Sequence, residues 1–314
     1  SIFAGSFTVM LLGRLLQGIG VAGPRSVTLA LVRDQYEGPA MARVLSFVMA
    51  VFILIPIVAP AFGQFILLFT GWRAIFGAFL LLGVVTLAWF ALRQPETLPS
   101  ERRMAWSARR VAGAFRTVLG NRTALGYTIA AGFISGAFLG YLNSAQQILQ
   151  VQYGLGARFP LYFALLAIAL GAASYINGRL VMRFGMQTLA QQAAIALSGL
   201  AILFTGAAFA LGGQPPLWLF MGYLMPTFFC VGILFGNQNA LAMEPLGRIA
   251  GVGAAVVGSL SLLMATPLGM IIGQSYNGTV LPLTLGFAVL GSAATVTMYW
   301  AEAGAKAAAQ EGSA

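Results

Sequence analysis

Leu217–Met243 reads LWLFMGYLMPTFFCVGILFGNQNALAM, and none of its side chains carries a charge. A helix needs about 20 residues to cross the hydrocarbon core of a bilayer. Backbone amides in hydrocarbon must be satisfied within their own segment, so an apolar run of this length is helical. The same reading holds for Phe7–Val32, Val44–Phe69, Ala74–Leu92, Ala124–Leu149, Phe159–Met182, Leu189–Gly212, Ile249–Ile272 and Val280–Trp300. The sequence therefore predicts an all-α membrane protein with nine spans.

Composition agrees with that reading. The chain is 59% hydrophobic and only 8% charged, against about 25% charged residues in a soluble domain. Its net charge of +10 would suggest a nucleic-acid partner, but the positions of the basic residues speak against one. If the loop after the first run is cytoplasmic, that side holds Arg33, Arg43, Arg93, Arg102, Arg103, Arg109, Arg110, Arg116, Arg122, Arg179, Arg183, Arg248 and Lys306. The opposite side holds Arg73 and Arg158, while Arg14 and Arg25 fall inside the first run. Such a bias marks the cytoplasmic face and fixes the orientation. It puts the C-terminal tail, residues 303–314, in the cytoplasm and accounts for the basic excess without nucleic acid.

With no histidine and one cysteine, Cys230, there is no metal constellation to propose. The spans carry no carboxylate near their middles, since Asp34 and Glu37 lie in a loop and Glu244 and Glu302 at inner span ends. An acid pair for metal-dependent or proteolytic chemistry is missing. The expectation is a non-enzyme with no cofactor.

The longest hydrophilic stretch, Arg93–Arg122, separates three spans from six and opens with Pro95-Glu96-Thr97-Leu98-Pro99. Within it, Val111, Phe115, Val118 and Leu119 fall at helical spacing among arginines, which reads as an amphipathic helix at the inner membrane surface or as a solvated linker. The domain reading is thus 1–93 as three spans, 94–122 as a cytoplasmic linker, 123–302 as six spans and 303–314 as a tail. Three plus six, with Ser1 on the outer side, resembles a six-plus-six plan lacking three spans. Transporters built from repeated three-helix units follow such a plan.

Candidate functional residues follow from polar side chains placed in apolar runs. Arg14, Gln17, Arg25 and Thr28 share about 80° of helix arc. Intramembrane arginines usually face a bundle interior or a water-filled path, although Arg25 is also placed to snorkel to the inner interface. Pro56 and Pro60 each remove a helix donor, and Gly63 allows close approach of a neighbour. These three read as a hinge or seal, or as a packing kink. Gly132, Gly136 and Gly140 share a face with Asn143, Gln146, Gln147 and Gln150, suggesting a packed seam that runs into a solvated cavity wall. Asn237, Gln238 and Asn239 are consecutive and cannot face one direction, so the helix there is expected to be enclosed by protein on several sides or locally unwound.

On these residues the chain resembles the major facilitator superfamily, and within it the bicyclomycin and chloramphenicol resistance (Bcr/CflA) branch of drug efflux transporters. Leu12-Gly13-Arg14-Leu15-Leu16-Gln17-Gly18 is similar to that family's arginine motif, and Ala59-Pro60-Ala61-Phe62-Gly63 to the end of its antiporter motif. Gly71-Trp72-Arg73, Pro95-Glu96-Thr97-Leu98-Pro99 and Asn239-Ala240-Leu241-Ala242 add to the likeness. Gly178-Arg179-Leu180-Val181-Met182-Arg183-Phe184-Gly185 is similar to the second copy of the superfamily loop motif, with Met182 replacing its acidic residue.

The resemblance implies a twelve-helix bundle of which this chain would be helices four to twelve. It also implies a monomer in the bacterial inner membrane, exporting small hydrophobic organic molecules in exchange for protons. Under it, Arg14, Gln17, Arg25, Pro56, Pro60 and Gly63 line the transport pathway. Asn143, Gln146, Gln147, Asn237 and Asn239 face a substrate cavity, and Gly178, Arg179, Arg183 and Gly185 form a gating loop. The alternatives are a proton-coupled metabolite importer and a non-transporting membrane scaffold or sensor.

Overall fold

The structure is a computed structural model that describes residues 2–36, 38–96 and 107–311. Within those helices the side chains of Arg25, Arg33, Pro56 and Arg248, among others, lie outside the description. The regular elements of the described residues are helices, joined by short turns. The order is α1 (Phe7–Gln35), α2 (Gly38–Phe69), α3 (Arg73–Arg93), α4 (Ala108–Gly120), α5 (Arg122–Ala145), α6 (Phe159–Phe184), α7 (Met186–Ala210), α8 (Leu217–Met243), α9 (Ala250–Gln274) and α10 (Leu281–Glu311). Among the described residues, eight helices are long and apolar enough to cross a membrane. The remaining long helix, α2, contains the apolar stretch Val58–Phe69.

Two compact units divide the chain, Ser1–Trp106 and Ser107–Ala314. The first holds α1–α3. In α3 none of the residues is buried, and Leu80, Leu81, Leu82, Val84, Val85, Leu87 and Trp89 are all exposed. A helix that is apolar on every side is stable only in an apolar surrounding, which is what a bilayer supplies.

The second unit is built around α5. Its small residues Ala130, Gly132, Gly136, Ala137 and Gly140 are buried and admit neighbours at close range. Gly132, Gly136 and Gly140 face Met264, Leu268 and Ile272 of α9, while Gly269 and Gly273 of α9 receive Leu139 and Asn143 of α5. The seam is therefore reciprocal, with each helix supplying both knobs and glycine gaps. Farther along, Gly126 of α5 faces Ala301 of α10, and Gly232 of α8 lies against the Leu170 carbonyl of α6. The helix α4 lies in the stretch between the two sets of spans. It packs against α9 and α5, burying Ala114 and Val118, while Arg109 and Arg116 on its opposite face stay exposed.

Past Ala145 the helix widens into a π-helical turn, Gln146–Gln152. It ends at Tyr153, whose hydroxyl donates to the Pro215 carbonyl at 2.8 Å. Burial pushes this phenol up to about 12, so it remains a donor at physiological pH. At the opposite end of the sequence, α10 keeps a helical backbone to Glu311, beyond the Trp300 end of the apolar run. The continuing stretch is rich in alanine, the best helix former.

Candidate functional site

Arg14 sits in α1 and its Nη1 donates to the Gln17 Oε1 at 2.8 Å. One helical turn separates the two, so the pairing follows from their shared face. The guanidinium carbon also stands 5.7 Å from the centroid of Phe76 in α3, within the range of a cation–π contact. Farther along α1, Thr28 Oγ1 donates to the carbonyl of Pro24, the proline inside this helix. Arg25 lies on the α1 backbone, but its side chain is outside the described set.

The helix α2 runs through Pro56 and Pro60 without a break. Among the described residues no heavy atom comes within 4 Å of a Cβ built at Gly63, so the first unit itself makes no close approach there. At the start of α3, Arg73 donates from Nη2 to the Ala4 carbonyl at 3.2 Å and stacks on Trp72 at 4.6 Å.

In the second unit the sequence-predicted amides part company. Asn143 is exposed and its Cβ packs on Gly273, continuing the glycine seam. Gln146 and Gln147 are exposed on the π-helical turn, whose backbone receives the Tyr276 hydroxyl at the Gln147 carbonyl, 3.3 Å. A π turn changes which side chains share a face, and such turns are frequent at functional sites.

The three consecutive amides of α8 point three ways while the helix stays intact to Met243. Asn237, 2% exposed, donates to Asn177 Oδ1 of α6 at 2.8 Å and accepts from its Nδ2 at 3.3 Å. Gln238, fully buried, reaches the Met298 sulfur of α10 at 3.5 Å. Asn239 is exposed and donates back to the Phe235 carbonyl at 2.8 Å. The helix is thus enclosed by protein on two sides, and no local unwinding is needed to place three amides.

Beside these amides lies an aromatic group from three helices. Tyr141 of α5 meets Phe228 of α8 edge-on at 4.8 Å and stacks with Phe163 of α6 at 5.8 Å. Phe138 adds edge contacts to Phe228 and Phe235. Tyr141 is 1% exposed, and its hydroxyl has no hydrogen-bond partner among the described residues.

The loop residues between α6 and α7 are laid out by Gly185. Its φ of +79° suits glycine alone among common residues, and it ends α6 while starting α7. Gly178 sits on an open helix face. Arg179 donates to the Tyr175 hydroxyl at 2.8 Å and stacks on that ring at 5.0 Å. Arg183 stands over Phe184 at 5.2 Å.

Sequence reasoning missed two polar groups. Asn177 was one, a lone amide with no periodic partner in its own run. The other joins three helices, because Glu302 of α10 accepts from the Tyr127 hydroxyl of α5 at 2.6 Å and from the Gln191 amide of α7. A carboxylate at a span end reads in sequence as solvated, and only tertiary packing brings donors to it. Among the described residues no group of three His, Cys, Asp or Glu side chains is placed to hold a metal.

The model of the Major Facilitator Superfamily matches residues 1–273. Among curated relatives, the Uncharacterized MFS-type transporter YdgK of Bacillus subtilis is 28% identical over 295 residues, covering 92% of this chain and 72% of the relative. The Bicyclomycin resistance protein homolog of Haemophilus influenzae is 28% identical over 294 residues, covering 91% and 71%. The Multidrug resistance protein MdtL of Klebsiella pneumoniae is 28% identical over 251 residues, covering 79% and 61%. A family match over most of the chain, on a fold whose described elements are helices, leaves one conclusion: the protein belongs to the Major Facilitator Superfamily.

Proposed function

We propose that the protein is a secondary active exporter of small, mostly hydrophobic organic molecules, driven by proton exchange. It acts as a monomer in the bacterial inner membrane with its C-terminus in the cytoplasm. The family consists of transporters rather than enzymes, and relatives named for bicyclomycin and multidrug resistance support drugs as the substrate class. The three spans of 1–93 belong to an N-terminal half and the six spans of 123–302 form the C-terminal half, joined by the stretch 94–122.

The observation that carries the reading is the Arg14–Gln17 pair in the body of an apolar helix. A permanent cation in a span is costly and is retained where it meets water, substrate or an acid. In this mechanism Arg14 favours the ionised form of a proton-carrying acid that meets it in the path, with Gln17 holding its fork and Arg25 on the same helix face. Pro56, Pro60 and Gly63 shape the helix that closes the path. Asn143, Gln146, Gln147 and Asn239 offer amide contacts to substrate. Asn237 acts through its bond to Asn177. The turn with Gly178, Arg179, Arg183 and Gly185 gates the inner side.

The test is efflux per inserted molecule, measured across a range of pH. Arg14→Ala is expected to abolish or strongly weaken proton-coupled efflux with insertion intact. Arg14→Lys keeps the charge but not the planar fork, and should be partly active. Normal efflux with an unshifted pH profile in Arg14→Ala would remove Arg14 from the mechanism.

A further inference from the structure

Most arginines on the inner side need no explanation beyond orientation, but Arg122 differs from them in its geometry. Its Nε donates to the Trp300 carbonyl of α10 at 2.9 Å. Its guanidinium carbon stands 4.6 Å from the centroid of the Trp300 ring. The guanidinium is thus held to α10 through Nε and through the indole face, and among the described residues neither Nη1 nor Nη2 makes a hydrogen bond. Arg122 is also the first residue of α5, where the Asn121 side chain caps the Ala124 amide at 2.8 Å.

Trp300 is itself 44% exposed, although it terminates an apolar span. Indoles with one polar edge favour the headgroup level of a bilayer. From Trp300 an exposed apolar lane runs along α10 through Val296, Val289 and Leu285. These residues share about 60° of helix arc with Trp300. A held cation at headgroup depth above an apolar lane matches an anionic phospholipid, with its phosphate at the cation and an acyl chain along the lane. We infer that Arg122 and Trp300 form a binding site for the phosphate of an anionic phospholipid in the inner leaflet. The inference rests on the proposed orientation but not on the transported substrate.

Charge complementarity favours this occupant, since the cytoplasmic leaflet is negatively charged and attracts basic residues near its surface. The planar fork suits a phosphate in two-point contact. Arg116, exposed on α4 and without such an indole clamp among the described residues, supplies the control for diffuse attraction.

Native mass spectrometry of the purified protein, titrated with phosphatidylglycerol or phosphatidylcholine of identical chains, tests the site. Arg122→Ala should weaken the first phosphatidylglycerol by about tenfold, while Arg116→Ala changes it by no more than about twofold. Phosphatidylcholine binding should be weaker and insensitive to both. Equal losses in the two variants would make the attraction diffuse and overturn the proposal. So would equal binding of the two lipids, or displacement of the lipid by millimolar inorganic phosphate. If Arg122→Ala melts early, Arg122→Lys is the variant to read. It keeps the charge but loses the fork and the stack, so a loss of several-fold supports the site and unchanged affinity overturns it.

Discussion

Asn177 and Asn237 each give one hydrogen bond and take one, so the pair joins α6 to α8 with Asn237 buried and Asn177 half-buried. Interhelical bonds of this kind in membranes average only about 0.6 kcal/mol and reach about 1.7. Leaving one amide buried without its partner costs more than the bond is worth. Asn237→Ala and Asn177→Ala should therefore each destabilise the solubilised protein by about 1 kcal/mol, and the double variant by less than the sum. Thermal unfolding of the four proteins measures this, and strictly additive losses would show that the amides do not depend on each other. The pair also marks the limit of what residues disclose by themselves. Arg14 and Gln17 were legible as partners because a helix face alone brings them together. Asn237 stood out as polar but could not be matched to Asn177, since the match depends on how two helices pack.

At the scale of elements, the α5–α9 seam can be tested by adding single carbons. A Cβ at Gly140 would lie 2.7 Å from Ile272 Cγ2, and one at Gly273 would lie 2.6 Å from Asn143 Cβ. Neither can be accommodated without separating the helices, and overpacking of this size costs about 1–3 kcal/mol. Gly258 is in the same helix α9 but faces open space, where alanine is a better helix former by about 0.8–1.0 kcal/mol. Gly140→Ala and Gly273→Ala should lower the melting temperature, while Gly258→Ala should hold or raise it. A uniform response of all three would mean that the seam is not tightly packed. The sequence disclosed the glycine face of α5 and the approximate ends of the helices, because periodicity and apolar length are local properties. It did not disclose that α9 returns glycines of its own, or that α5 widens into a π turn, because both depend on a partner surface. Pro60 belongs to this scale as well. If α2 closes the transport path, Pro60→Ala should yield expressed protein that leaks or loses coupling, and unaltered coupled efflux would leave the proline a packing role only.

For the whole molecule, the distribution of arginines and the packing of helices are independent lines of argument that must give one topology. Positive charge resists transfer across the bilayer during insertion, so basic loops stay inside. That rule predicts a cytoplasmic Arg93–Arg122 stretch and, six crossings later, a cytoplasmic tail beyond Trp300. Packing agrees within the second unit. Arg122 at the start of α5 bonds to Trp300 at the end of the apolar part of α10, and Glu302 takes hydrogen bonds from α5 and α7. These contacts put the first residue of α5 and the end of the α10 span at one face, as an even number of crossings requires. Had one apolar run failed to cross, the two ends would lie on opposite faces and neither set of bonds could form. Reporter fusions after Arg103 and after Ala314 should therefore both read as cytoplasmic, with activity that requires the inner compartment and none that requires the outer one. A periplasmic signal at either position would break the span assignment. It would also remove the inner-leaflet location on which the Arg122–Trp300 lipid site depends.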